Sequence, residues 1–197
     1  MHIDFGAGTR IDTAIERCAK FSSDDIIIGI DRRSRVVHPG GYTPEFSAIM
    51  NEYYELVDNM WMRVKPTPFR LYDYYIQGDI RDDFDIDLSA DTWACIATLE
   101  HVPEDEVEDF FTGLKNKISK DSVGHLHVDL TDHKKPPGFF HYTNTEYASK
   151  IREDYSGLFL NRIRREEWFN IIDQHFTYII GPSDSQFSVS LTQVRLK

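Results

Sequence analysis

A glycine turn between two apolar segments constrains the fold of this 197-residue chain more than any other feature. Residues 3–5 form a short apolar run, Gly6-Ala7-Gly8 follows it, and apolar residues then recur at helical spacing between Ile11 and Ala19. A second run, residues 26–30, is continuous and β-branched, which is typical of a strand buried on both faces of a parallel sheet. The order strand, turn, helix, strand predicts a right-handed crossover unit and therefore an α/β fold.

Further apolar segments continue this pattern, and we expect one domain over residues 1–197. Additional strands are predicted at residues 74–77, 92–97, 125–130, 176–180 and 187–196. Helical spacing predicts one long helix over residues 46–60, another helix after Pro103 and a last one around Trp168. The final two strands are joined by a connection too short for a parallel crossover, which predicts an antiparallel hairpin at the C-terminus.

The charge balance argues against a nucleic-acid partner. The chain has 22 Lys and Arg against 33 Asp and Glu, and a net charge of -11 repels a phosphate backbone. The apolar runs are far shorter than the roughly 20 residues of a membrane span, and the N-terminus has no secretory signal pattern. Cys18 and Cys95 lie in a predicted helix and strand, which favours free thiols in a reducing cytoplasm.

Polar features follow three of the predicted strands at their carboxyl ends. Gly6 and Gly8 would let backbone amides approach a ligand closely, although such turns also serve tight turning alone. Asp31 ends the second strand, where a carboxylate can accept hydrogen bonds from both ribose hydroxyls. Asp79 follows Gly78 after the third strand and is placed to accept from the amine of adenine. Because open α/β sheets bind ligands beyond these ends, we predict an adenosyl site there.

In this order, the motifs resemble those of the class I S-adenosylmethionine-dependent methyltransferases. The matching segments are Asp4-Phe5-Gly6-Ala7-Gly8-Thr9, Ile28-Gly29-Ile30-Asp31, Gly78-Asp79-Ile80 and the stretch from Asp91 through Leu99-Glu100-His101-Val102-Pro103. The resemblance covers nearly the whole chain. It implies a three-layer, Rossmann-like α/β fold with a mostly parallel seven-stranded sheet, S-adenosylmethionine as the cofactor, and a small-molecule or glycan-like acceptor.

The resemblance also implies functional roles for residues of these segments. The residues implied to hold the cofactor are Asp4, Gly6, Gly8, Asp31, Asp79, Ile80 and Leu99. Asp132 and His133 follow the predicted strand at residues 125–130, and a histidine near its usual pKa can accept a proton from a hydroxyl acceptor. His101 is a second candidate for this base.

Two features depart from the family pattern. Arg10 stands where many members have a third glycine, and the first predicted strand begins without the helix that usually precedes it. We therefore expect either a second copy of the chain, in a homo-oligomer, to cover this edge of the crevice or the crevice to be open.

Three other functions stay open at this point. The departures at Arg10 and the N-terminus would permit a cofactor-binding or scaffolding protein without turnover. The glycine turn and acidic residue also occur in nicotinamide-dependent dehydrogenases. His125, His127 and Asp129 alternate along one strand, and this spacing would permit a metallohydrolase.

Overall fold

The computed structural model of the protein describes residues 1–8, 10–32, 44–84, 88–131, 160–161, 163–185 and 188–197. The strands within these ranges are β1 (His2–Phe5), β2 (Ile27–Asp31), β3 (Tyr54–Val57), β4 (Met60–Arg63), β5 (Tyr74–Gln77), β6 (Ala90–Ile96), β7 (Ile118–Asp129), β8 (Phe176–Ile180) and β9 (Ser188–Leu196). The α-helices are α1 (Ile11–Cys18), α2 (Pro44–Tyr53), α3 (Val107–Lys115) and α4 (Arg165–His175). Single turns of 3-10 helix cover Leu99–His101 and Glu104–Glu106.

All of the described strands belong to one sheet, in the order β3-β4-β5-β2-β1-β6-β7-β9-β8. The strands from β5 to β7 in this order are parallel, whereas β9 runs antiparallel between β7 and β8. The predicted α/β fold and C-terminal hairpin are confirmed. The predicted seven strands correspond to β5 through β8 in the sheet order, and β3 and β4 extend the sheet to nine strands.

The prediction of one helix over residues 46–60 is wrong beyond Tyr53, where α2 ends. β3 and β4 form a hairpin around Asp58 and Asn59, whose φ angles are 47° and 68°. Two successive residues with positive φ are typical of the type I′ turn that joins hairpin strands, and Asp and Asn adopt this backbone more readily than other side chains. β4 then pairs antiparallel with β5, so the hairpin adds two strands beyond the parallel core.

The sheet separates two apolar clusters, one on each face. Ile3, Phe5 and Trp93 point towards α3 and α4, whereas Ile27 and Tyr75 point towards α1 and α2. Burial on both faces explains why β1 and β2 are continuous apolar runs and not alternating ones. The glycine turn therefore lies at the carboxyl edge of a rigid, two-sided core.

Cys18 and Cys95 are both buried free thiols, so the prediction that they form no disulfide is confirmed. Burial raises the pKa of Cys18 to about 12, which makes this thiol unreactive near neutral pH. Within the described ranges, none of the helices is long and apolar enough to cross a membrane.

Gly124 of β7 is packed directly against the indole ring of Trp93. A Cβ atom at Gly124 would fall 2.0 Å from Cε2 of Trp93, and this indole is buried in the core. We expect Gly124→Ala to lower the free energy of unfolding by about 1–3 kcal/mol, measured by urea denaturation. The control is Thr177→Ala at an exposed position of β8, which should change it by less than about 0.5 kcal/mol. Equal stability of the two variants would contradict the packing.

Candidate functional site

The glycine turn is fixed to the end of β2 and faces open space on one side. Gly6 and Gly8 have φ angles of 71° and 73°, a conformation that glycine adopts without strain. The amides of Gly6 and Ala7 donate to the carbonyl oxygen of Ile30 over 2.8 and 3.1 Å. A Cβ at Gly6 would fall 1.8 Å from Oγ1 of Thr98, whereas a Cβ at Gly8 would meet no described atom within 4 Å. Gly6 is thus required by close packing, whereas the space next to Gly8 holds no described atom.

Asp31 lies next to this turn, as the sequence predicts. Its side chain is at the carboxyl end of β2, and the residue is 6% exposed. Oδ2 of Asp31 accepts a hydrogen bond of 2.6 Å from the amide of Gly8, and the hydroxyl of Tyr75 donates to the carbonyl oxygen of Gly8 over 2.9 Å. The contact of Tyr75 with the glycine turn could not be predicted, because an aromatic residue in a buried strand has the same sequence pattern as a core residue.

Asp79 joins the same edge from β5. The amide of Gly78 donates to the backbone oxygen of Asp31 over 3.2 Å, so the two chain segments that carry the aspartates are hydrogen-bonded to each other. The carboxylate of Asp79 is paired with Arg81 and Arg32. Burial raises the pKa of Asp79, but hydrogen bonds from Arg81 outweigh this and hold the pKa below its usual value. Asp79 is therefore ionised at neutral pH.

Ile80 and Leu99 are core residues beneath this edge. Both side chains are buried in the cluster that faces α3 and α4. A Cβ at Gly113 of α3 would fall 2.9 Å from the carbonyl oxygen of Ile80, so helix and loop approach each other closely there. Their predicted contact with a cofactor stays a prediction.

Asp4, which the resemblance assigns to cofactor binding, lies inside the protein and not at the crevice. The residue is 1% exposed, and its carboxylate accepts hydrogen bonds of 3.0 and 2.9 Å from Arg17 and of 2.6 Å from the hydroxyl of Tyr72. Burial raises the pKa of Asp4, and Arg17 opposes the shift. The cavity beside this group measures about 10 Å³, which is room for one water molecule and not for a nucleoside. The side chain of Asp4 therefore has a structural role.

Arg17 connects this buried pair to the glycine turn. Besides Asp4, its guanidinium donates to the carbonyl oxygens of Gly6 and Ile96 over 3.1 and 3.2 Å. One side chain of α1 thus holds β1, the turn and the end of β6 together. A sequence signal exists for this contact, because an aspartate inside an apolar strand needs a buried cation, but the sequence does not say which one.

Of the predicted catalytic residues, His101 is described, whereas Asp132 and His133 lie outside the described residues. His101 follows β6, and its Nε2 is 4.0 Å from Oε1 of the buried Glu100. The side-chain amide of Asn161 donates to the carbonyl oxygens of Leu99 and Val102 over 2.7 and 2.8 Å. These bonds hold the loop that carries His101 at the carboxyl edge of the sheet.

The alternating residues His125, His127 and Asp129 share one face of β7, as expected from the strand period. Burial lowers the pKa of both histidines. In the part of the chain that the structure describes, no three His, Cys, Asp or Glu residues are grouped as metal ligands. The arrangement therefore gives the metallohydrolase alternative no support.

Comparison with known proteins identifies the fold. No model of a protein family and no curated protein sequence matches the chain. A solved structure described as a candidate methyltransferase from Bacillus halodurans is 14% identical, with a TM-score of 0.53 over 90% of this chain and 63% of that one. A protein of Pyrococcus horikoshii is 13% identical, with a TM-score of 0.55 over 100% of this chain and 81% of that one.

The magnesium protoporphyrin IX methyltransferase of Synechocystis was solved with bound S-adenosylhomocysteine (SAH). It is 14% identical, with a TM-score of 0.53 over 99% of this chain and 74% of that one. The chain thus spans less than two thirds of the Bacillus halodurans protein and more of the other two. At these identities, the similarity establishes the fold, which is that of the class I methyltransferases.

Proposed function

We propose that the protein is an S-adenosylmethionine-dependent methyltransferase. The observation that carries this proposal is the convergence of the glycine turn, Asp31 and Asp79 at one edge of a sheet with the methyltransferase fold. In the proposed site, the methionine part of the cofactor lies against Gly8, the ribose hydroxyls donate to Asp31, and the adenine amine donates to Asp79. The close approach of the Gly8 backbone to the carboxylate of Asp31, with no described atom within 4 Å of a Cβ at Gly8, supports this placement.

Methyl transfer of this kind requires the protein mainly to align the methyl donor with the acceptor atom. When bound, S-adenosylmethionine would supply the methyl group on its sulfonium for an in-line displacement by the acceptor atom, with S-adenosylhomocysteine as the leaving group. The protein must exclude water and place the acceptor atom, and it must take a proton if that atom belongs to a hydroxyl. His133 beside Asp132, or His101 after β6, would take the proton.

For the acceptor, we propose a small molecule or a glycan-like compound. A depression of about 670 Å³ that is open to solvent lies between the segment after β6 and α4. The residues that line it are Glu104, Asp105, Ile163, Glu167, Asn170 and Ile171. Apolar side chains and carboxylates occur together in this lining, which supports an acceptor that presents both apolar surface and hydrogen-bond donors.

Isothermal calorimetry with separate ligands tests the proposed function. We expect S-adenosylmethionine and SAH to bind to one site per chain, and NAD⁺ not to bind. Binding of NAD⁺ alone would favour a dehydrogenase. Binding of none of the three would contradict the proposal and favour a scaffolding protein.

His133→Ala tests the proposed base. We expect this variant to bind SAH like the wild type but to transfer the methyl group about 10²-fold more slowly, because the hydroxyl proton loses its acceptor. Transfer of a radiolabelled methyl group to a panel of hydroxyl compounds measures this rate. His101→Ala is examined alongside; if it alone slows the reaction, His101 is the base and the assignment to His133 is wrong.

A further inference from the structure

Among the described residues, two arginines contact the carboxylate of Asp79, Arg81 through three hydrogen bonds and Arg32 through one ion pair. Oδ1 accepts from the amide of Arg81 over 3.0 Å and from its Nε over 2.7 Å. Oδ2 accepts from Nη2 of Arg81 over 2.7 Å and lies 3.1 Å from Nε of Arg32. An ionised carboxylate offers about four lone-pair positions, so the three hydrogen bonds from Arg81 leave one position, on Oδ2, the oxygen that the guanidinium of Arg32 approaches.

A ligand that donates to the remaining position on Oδ2 has to displace the guanidinium of Arg32 from beside this oxygen. Arg81 makes three of the four contacts, two of them in a bidentate pair, and its side chain is 32% exposed. Arg32 makes one contact, which is the longest, and its side chain is 62% exposed. Displacement of Arg32 by an incoming ligand therefore requires less free energy than displacement of Arg81.

Arg32 also has a second carboxylate to which it can remain bound. Its Nη1 donates to Oε2 of Glu106 over 2.9 Å, and the same oxygen lies 3.0 Å from Nη2 of Arg81. The guanidinium can thus release Asp79 by a small rotation and keep its partner in the segment after β6. The loss is one exposed ion pair, and pairs in such positions contribute little.

We propose that Arg32 competes with the adenine amine for Asp79, so that cofactor binding requires Arg32 to leave this carboxylate and remain on Glu106. The inference rests on the proposed function, in which Asp79 accepts from adenine. Arg32 then sets the affinity of the site and how strongly the site selects adenine over a base without the amine.

Arg32→Gln removes the competing cation and should increase the affinity for SAH about two- to fivefold, measured by calorimetry. In the wild type, salt weakens the Arg32–Asp79 ion pair, so SAH should bind more tightly as NaCl rises from about 0.05 M to about 0.5 M. In Arg32→Gln, this salt dependence should disappear. The control is Arg195→Gln, which removes the same charge from an exposed position of β9 and should leave both affinity and salt dependence as in the wild type.

A ligand that lacks the adenine amine provides a second test of the proposed contact between this amine and Asp79. S-inosylhomocysteine carries a carbonyl in place of this amine and cannot donate to Asp79 there. Arg32→Gln should therefore leave its affinity unchanged while it improves that of SAH.

The outcomes separate the two proposals. If SAH binds to the wild type, but Arg32→Gln binds SAH equally or more weakly, or improves both ligands alike, the competition is overturned and the proposed function stands. If SAH binds to neither protein, the proposed function fails, and this inference fails with it.

Discussion

Arg17→Met is expected to lower the free energy of unfolding by about 3–5 kcal/mol, because it leaves the carboxylate of Asp4 buried without its cation. Asp4 is buried, and Arg17 also donates to the backbone of the glycine turn and of β6, so the substitution removes four hydrogen bonds together with the charge. Urea denaturation at neutral pH measures the effect. Arg10→Met is the matched control, since Arg10 and its partner Asp12 are both exposed and its removal should leave the unfolding curve unchanged.

The loss of unfolding free energy caused by Arg17→Met should depend on pH in a defined direction. Burial raises the pKa of Asp4, and removal of Arg17 raises it further, so the folded state binds a proton that the unfolded state releases. A folded state that binds more protons becomes relatively more stable as the pH falls. The destabilisation by Arg17→Met should therefore be smaller at pH 5 than at pH 8. A loss no larger than that of Arg10→Met at either pH would contradict the buried pair.

Asp31→Ala is expected to weaken the binding of SAH by about 10²- to 10⁴-fold. Two charge-assisted hydrogen bonds from the ribose hydroxyls, each about 1.5–3 kcal/mol, are lost, and the amide of Gly8 loses its acceptor as well. Calorimetry measures the change. Asp31→Asn keeps one acceptor oxygen without the charge and should lose less affinity than Asp31→Ala.

The control for Asp31 is Asp24→Ala, which changes the net charge equally at an exposed position between α1 and β2. This variant should bind SAH like the wild type. Equal affinities of Asp31→Ala and Asp24→Ala would remove Asp31 from the ribose site, whereas weak binding by both would point to an effect of net charge alone.

The positions of several core strands along the chain could be predicted because turn residues bound compact apolar runs. β5 and β8 have the predicted bounds, and Gly78 and Gly181 directly follow them. The hairpin of β3 and β4 could not be predicted by periodicity, since its apolar residues continue the helical spacing of α2. The only local signal was the pair Asp58 and Asn59, which favours a hairpin turn.

Some contacts of the candidate site could likewise be predicted from the sequence, and others could not. Gly8 and Asp31 were predicted to meet because parallel strands place their carboxyl ends at one edge, which topology alone determines. The partners of Asp4 and Asp79 were not predicted, because a charged side chain finds its counterion through packing. Arg17 reaches Asp4 from a helix, and Arg32 reaches Asp79 from a different strand end.

A crystal structure of the protein with bound SAH tests the central claim most directly. We expect the ribose hydroxyls to donate to Asp31 and the adenine amine to donate to Asp79. The homocysteine part should lie against Gly8, and Arg32 should be paired with Glu106. SAH bound elsewhere, or bound at this edge without contact to either aspartate, would contradict the central claim.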